Sequence, residues 1–320
     1  MTRKLVSLVV PVLDEEENVE RLYAAVEAVI APLADRYDFE YVFTDNHSRD
    51  RTFALLTALA AKDPKVRAFR FSRNFGFQRS IWTGYALARG DAAIQLDCDL
   101  QDPPALIPAF LQGWEEGHHV VYGVRRSRKE GFFITSVRRV FYRVIDFLSE
   151  DELPKDAGDF RLVDRRILEE LRRIHDQQPY LRGTIAALGF RQKGVPYDRD
   201  ERTHGESKFS YAALFRLAFD GILNHSTVPL RLATWTGLAV SAATALGIVG
   251  YGVGRLVFGQ DWPAGFATTT VLLLLSLSLN AMFLGIIGEY VGRIYVQIKT
   301  RPLTVIEQRV DRLGQGDERA

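Results

Sequence analysis

The sequence predicts an α/β domain on a mostly parallel sheet, followed by two C-terminal transmembrane helices. Three observations carry that expectation. β-branched runs alternate with helical patterns from Leu5 to about Val124, as βαβ units do. Aspartate-rich clusters follow several of these runs, and open α/β sheets bind ligands outside the carboxyl ends of their strands. Finally, Leu232 to Phe258 and Phe266 to Ile287 are long apolar runs, where a bilayer-crossing helix needs about 20 such residues.

Leu5 to Val12 reads as a strand closing on Pro11, then an acidic turn, Asp14-Glu15-Glu16-Glu17-Asn18, then a helix paced by Val19, Leu22, Val26 and Val29. Phe39 to Thr44 is a second strand, ending in Asp45-Asn46-His47-Ser48-Arg49-Asp50-Arg51-Thr52 before a helix over 53–61. Val66 to Phe71 is a third, followed by a loop at Ser72 to Phe77 and a helix to about Ala88. Ala92 to Leu96 is a fourth, delivering Asp97-Cys98-Asp99-Leu100-Gln101-Asp102-Pro103-Pro104. A helix to about Glu116 and a strand over Val120 to Arg125 come next.

Residues 129–150 carry apolar side chains at helical spacing with Arg138, Arg139 and Arg143 between them. That amphipathic helix either lies on a membrane interface or packs on the sheet. Lys155 to Val163 is a loop in which Asp159 and Arg161 share one face if the backbone is extended. The polar loop 201–208 offers Arg202 and Lys208, a pair suited to phosphate or simply a solvated charge run. An aromatic-rich, interfacial helix over about 209–225 leads to the first span. After Arg301-Pro302, the stretch Leu303 to Ile306 is expected as a strand available to pair with a neighbouring copy. The expected divisions are a soluble-type domain over 1–230, a transmembrane hairpin over 231–295 and a C-terminal segment over 296–320.

Composition narrows the options. Lys plus Arg (41) nearly equals Asp plus Glu (40), so the net charge of +1 gives no argument for nucleic acid. The single cysteine, Cys98, excludes an internal disulfide framework and fits a reducing compartment. G-x-G-x-x-G, the P-loop pattern, H-x-x-x-H and G-x-S-x-G are all lacking, which argues against dehydrogenase, NTPase, zinc and serine-hydrolase chemistry. The Leu5 to Leu13 run is short, contains Pro11 and precedes four acids, so it is not expected to be a signal peptide. Lys and Arg flank the apolar pair (Arg231, Arg293, Lys299, Arg301) but spare the Gly259 to Gly265 connector. The positive-inside rule predicts a multi-pass membrane protein with the α/β domain and both termini on the cytoplasmic side.

The Asp97 to Pro104 stretch concentrates carboxylate and amide oxygens at a strand end, which suits Mg²⁺ or Mn²⁺ holding a diphosphate. Cys98 between the acids reads as a small strand residue, because hard-cation sites do not use thiolate.

Taken in order, Val10 to Val19, Asp45 to Thr52, Ser72-Arg73-Asn74-Phe75-Gly76, Asp97 to Pro104, Gly158-Asp159-Phe160-Arg161-Leu162, Gly205-Glu206-Ser207-Lys208-Phe209-Ser210 and Gly288 to Tyr295 resemble glycosyltransferase family 2. Within it they resemble the membrane-anchored polyprenyl-phosphate hexosyltransferases, the group of bactoprenol glucosyltransferases and dolichol-phosphate mannose synthases. The resemblance implies a GT-A fold and inverting transfer of a hexose from a nucleotide sugar, UDP-glucose in the first instance, to polyprenyl phosphate. GDP-mannose or a modified UDP-aminosugar is the alternative donor, and a non-catalytic sugar-nucleotide-binding or lipid-translocation protein is the alternative class. It further implies that Pro11, Glu15 and Asp45 contact the nucleoside, that Asp97, Asp99 and Gln101 hold the metal and diphosphate, and that Asp159 orients or deprotonates the acceptor. Arg202 and Lys208 match cations on the donor diphosphate, and Arg125, Ser136 and Arg161 match the acceptor-phosphate region. A homo-oligomer, by resemblance a tetramer, is expected. The chain departs from the family pattern at Asp14, where Asn is usual, at Asp45-Asn46-His47-Ser48, where Asp-Asp-Gly-Ser is usual, and at Cys98, where Ala is common.

Overall fold

The structure, a computed structural model, describes residues 3–125, 157–177, 179–198, 228–258, 265–299 and 301–311. The helices expected over 129–150 and 209–225 lie outside the described residues, as do Ser136, Arg202 and Lys208.

Strands β1 (Lys4–Val12), β2 (Tyr37–Asp45), β3 (Val66–Phe71) and β4 (Ala92–Gln95) alternate with helices α1 (Val19–Ile30), α2 (Thr52–Lys62) and α3 (Phe77–Leu87). Helix α4 (Ile107–Glu115), β5 (Val120–Arg125), β6 (Ala157–Asp164), α5 (Arg165–Arg173), α6 (Leu181–Ala187) and β7 (Gln192–Tyr197) follow. Two long helices, α7 (Val228–Phe258) and α8 (Phe266–Ile298), precede a last strand, β8 (Ile306–Val310). Among the described residues the sheet runs β7-β5-β6-β4-β1-β2-β3-β8. β4, β1, β2 and β3 are mutually parallel, while β6 and β8 run against their neighbours.

The central strands are buried on both faces, which is why they read as continuous apolar runs rather than alternating ones. Val6, Leu8, Val10 and Val12 face one core layer with α1, α2 and α4, and Val9 faces the other with α3, α5 and α6. On that second side α3 lies so close to the sheet that a Cβ on Gly84 would come within 2.3 Å of Val9 Cγ1.

The chain divides into two compact units. The first holds the whole sheet with α1 to α6, and the second holds α7 and α8. The expected spans coincide with these two helices, of 31 and 33 residues, although α8 continues beyond Ile287 to Ile298. Among the described residues only Leu275–Ile298 is long and apolar enough to cross a membrane. Glycines, alanines, hydroxyl residues and Arg255 dilute the apolar content of α7. Trp235, Leu246 and Leu256 of α7 and Leu272, Leu273 and Leu284 of α8 are nevertheless exposed.

The C-terminal strand corrects one expectation. β8 begins at Ile306 rather than Leu303, and it pairs antiparallel with β3 of its own chain, so it covers that sheet edge from within. A buried ion network supports the pairing. Arg67 Nε donates to Asp311 Oδ2 at 2.9 Å and Arg67 Nη1 to Glu40 Oε2 at 3.0 Å, while Glu40 Oε1 accepts from Ser7 Oγ at 2.6 Å.

Candidate active site

Adjacent parallel strands β4, β1 and β2 release three loops side by side at their carboxyl edge. Each loop contains a non-glycine residue in the left-handed region: Leu100 (φ 57°) after β4, Asp14 (φ 54°) after β1 and His47 (φ 68°) after β2. Among the described residues there are no others. Such conformations are costly and persist where surrounding bonds over-determine them.

Those bonds are visible. Asp14 N–H donates to Ser48 Oγ (2.9 Å), Arg49 N–H to Asp14 Oδ1 (2.7 Å), Glu15 N–H to Thr52 Oγ1 (2.8 Å) and Glu16 N–H to Asp50 Oδ2 (3.1 Å). The acidic turn after β1 is thereby stitched to the turn after β2. His47 occupies the position where the family pattern has glycine, the residue most at ease with positive φ. Its ring Nδ1 donates to Phe71 O at 3.0 Å, which requires the Nδ1–H tautomer.

Pro11 is buried near the end of β1, and Glu15 Oε2 accepts from Asn18 Nδ2 at 2.6 Å. Asp45 is fully buried at the end of β2; its Oδ1 accepts from Ser48 N–H and Ser48 Oγ, and Arg70 Nε lies 3.7 Å from its Oδ2. Burial raises its pKa above the ordinary carboxylate value, against the pull of Ser48 and Arg70.

Asp97 and Asp99 follow β4, and Gln101 N–H donates to Asp99 Oδ1 at 3.1 Å in a turn around Leu100. Gln95 Nε2 donates to Asp97 Oδ1 at 2.8 Å. Burial pushes the Asp97 carboxyl up to about 7, and the Asp102, Asp159 and Asp99 carboxylates add to the effect. Burial also pushes the Cys98 thiol well up, which agrees with its reading as a packing residue.

Asp159 reaches this edge because β6 runs antiparallel to β4. Gln95 pairs with Arg161, and the same register continued past the end of β4 would bring Asp159 across from Asp97. Asp159 and Arg161 share a strand face in the extended β6. Arg161 is buried, and its Nη2 donates to Gly158 O at 2.8 Å, so it braces the backbone just before Asp159. Burial holds the Arg161 guanidinium below its ordinary range, with Asp159 acting against that shift. Arg125 closes β5.

Among the described residues no three His, Cys, Asp or Glu side chains converge on one metal position. Mg²⁺ takes one or two carboxylates and completes its octahedron with phosphate and water. Burial lifts Asp97 and the neighbouring carboxylates add to the lift, and a divalent cation would offset both. On that observation the residues fit a metal.

Sequence reasoning left three neighbours without a role. Tyr197 bonds Asp102, Gln95 bonds Asp97, and Arg182 Nε lies 3.3 Å from Asp159 Oδ1. Asp102 was visible within the acidic stretch, but nothing near Tyr197 or Arg182 in the sequence marks them.

The parallel α/β core gathers its acids and left-handed turns at the strand carboxyl ends, the edge where open α/β sheets bind ligands. The family model for glycosyl transferase family 2 matches residues 7–172. Over 305 residues the chain is 38% identical to the glycosyltransferase YkcC of Bacillus subtilis (strain 168), covering 94% of this chain and 93% of that one. It is 34% identical over 306 residues to the bactoprenol glucosyl transferase of Shigella phage SfII, covering 95% and 97%. The chain belongs to glycosyl transferase family 2 and is a glycosyltransferase. Among solved structures it is similar to a mannosyltransferase of Pyrobaculum calidifontis, crystallised with GDP-Man and Mn²⁺, at 17% identity and a TM-score of 0.46 over 93% of this chain and 87% of that one.

Proposed function

We propose that the protein transfers a hexose, with UDP-glucose as the leading donor, to polyprenyl phosphate with inversion at the anomeric carbon. The feature that carries this reading is that Asp159, in β6, lies close enough to Asp97, after β4, for its charge to act on the Asp97 carboxyl. It offers a donor half and an acceptor half at one edge. Relatives named bactoprenol glucosyl transferase match 95% of the chain, including both long helices, which supports a polyprenyl-phosphate acceptor. The exposed apolar side chains of α7 and α8 and the flanking Lys and Arg support a membrane anchor with both termini cytoplasmic.

In this reading Pro11, Glu15 and Asp45 line the nucleoside, held by the stitched turns. Asp97 and Asp99, with Gln101, would hold a divalent metal, Mg²⁺ or Mn²⁺, which when bound offsets charge on the diphosphate leaving group. Arg202 and Lys208 contribute cations to the same diphosphate. Asp159 orients the acceptor phosphate, and the resemblance offers Arg125, Ser136 and Arg161 as further contacts to that phosphate. A phosphate monoester has its second pKa at about 6, so the nucleophile is largely anionic already and Asp159 need not be a strong base. The reacting phosphate oxygen attacks the anomeric carbon in line as the nucleoside diphosphate departs.

The test uses the full chain in detergent with polyprenyl phosphate and labelled UDP-glucose, GDP-mannose and UDP-aminosugars, with and without divalent metal. Transfer of one sugar to the lipid is expected, abolished by Asp99→Asn. Nucleotide-sugar binding without transfer to any polyprenyl phosphate would overturn the reading, and full activity of Asp99→Asn would overturn the metal role.

A further inference from the structure

We propose that Arg182 is a positioning residue for Asp159, aiming its carboxylate at the acceptor through the Nε to Oδ1 contact that joins α6 to β6. The inference rests on the acceptor-side reading of Asp159 and adds a residue to it.

Asp159 stands between opposed influences. On one side is Asp97, a carboxylate that repels it; on the other is Arg182, whose Nε lies 3.3 Å from Asp159 Oδ1. Like charges repel, so a carboxylate near another is driven to turn away. A guanidinium behind it removes the incentive to turn. Asp159 Oδ1 is buried and has no aligned hydrogen bond among the described residues, so this ion pair is what the geometry offers to fix its direction. The second cation, Arg161, works on the backbone, through Gly158 O. The Asp159 side chain and the Gly158 carbonyl just before it are therefore held by different arginines.

Arg182 can do this only if α6 is itself fixed, and it is. Leu181 N–H donates to Gln78 Oε1 at 3.2 Å, and Arg79 Nη2 donates to Gln177 O at 2.7 Å, so α3 holds the chain entering α6 at two points. Leu181 and Ile185 are buried in the same core layer as Ile81 and Tyr85 of α3. The Tyr180 ring lies 5.5 Å from the Arg182 guanidinium carbon, limiting its swing. The positioning charge comes from a helix packed on the core rather than from a loop.

The experiment compares Arg182→Ala, Arg182→Lys, Asp159→Asn, the Arg182→Ala/Asp159→Asn double variant and Arg79→Ala in the full chain. Steady-state kinetics are measured in both substrates, and Tm alongside. Arg182→Ala is expected to lower kcat by about 10²-fold, the scale of a 1 Å misplacement, with KM for the nucleotide sugar unchanged. Arg182→Lys restores at least a tenth of wild-type kcat, and the double variant is no slower than Asp159→Asn alone, because both act on one group. Wild-type kcat in Arg182→Ala overturns the proposal. So does a rise in acceptor KM at constant kcat, which would make Arg182 a phosphate ligand, or additive losses in the double variant. If Arg79→Ala reproduces both the Tm loss and the kcat loss of Arg182→Ala, the role is structural and the proposal fails. Wild-type activity in Asp159→Asn would instead remove the underlying reading of the site.

Discussion

Tyr197, at the end of edge strand β7, donates its hydroxyl hydrogen to Asp102 Oδ1, tying the far margin of the sheet to the loop that follows β4. Asp102 is buried and is the largest carboxylate influence on Asp97. Tyr197→Phe removes the hydroxyl that bonds Asp102 and keeps the ring. A hydrogen bond to a charged group contributes about 1.5–3 kcal/mol, and urea unfolding should show a loss of that order. Freed from Tyr197, the loop should also need more Mn²⁺ or Mg²⁺ for half-maximal transfer. Unchanged unfolding midpoint and metal requirement would argue that Tyr197 merely packs.

The raised Asp97 carboxyl predicts a pH dependence with a definite sign. In the metal-free protein it holds its proton up to about 7, whereas in the unfolded chain it releases it near 3.8. Between these values the folded state binds more protons than the unfolded one, so stability falls as pH rises from about 4 to about 7. Tm measured with chelator across that window should decline, Asp97→Asn should flatten the decline, and Mn²⁺ should reverse it near pH 7. A Tm that rises through the window would contradict the assignment.

Asp311 is nearly buried and pairs with Arg67 at 2.9 Å and Arg89 at 3.1 Å. Breaking one partner out of a buried ion pair costs about 3–5 kcal/mol. Because Glu40 still faces Arg67, Asp311→Ala should fall at the low end, about 3 kcal/mol in denaturant unfolding. A change within experimental error would show that β8 contributes little to the sheet.

Much of this arrangement was legible in residues. Strands β1 to β5 and the acids that follow them stood out because buried parallel strands are apolar throughout and end at polar turns. The place of Asp159 was not legible. It depends on β6 running against β4, and strand direction is a tertiary property that no local pattern encodes. Arg161 matched the acceptor-phosphate region in sequence, yet its guanidinium is buried and bonded to the Gly158 carbonyl, a burial that sequence does not display. His47 looked like a departure from the pattern; its left-handed backbone shows that the geometry survived while the glycine did not. Arg182 lay in an unremarked helix, since a lone arginine acquires meaning only from what the fold sets against it.

β8 has a consequence for biosynthesis. Arg67 and Asp311 are 244 positions apart, and the two long helices are translated between them. A ribosome making the chain from its amino terminus delivers the β3 edge early and its cover last. Until Ile306–Val310 emerges, β3 presents unpaired backbone and a guanidinium with one of its carboxylates missing. A fragment ending before α7, the obvious route to a readily handled domain, would retain that open edge permanently. Adding back residues 301–311 through a short linker in place of the helices should restore monodisperse behaviour to such a fragment.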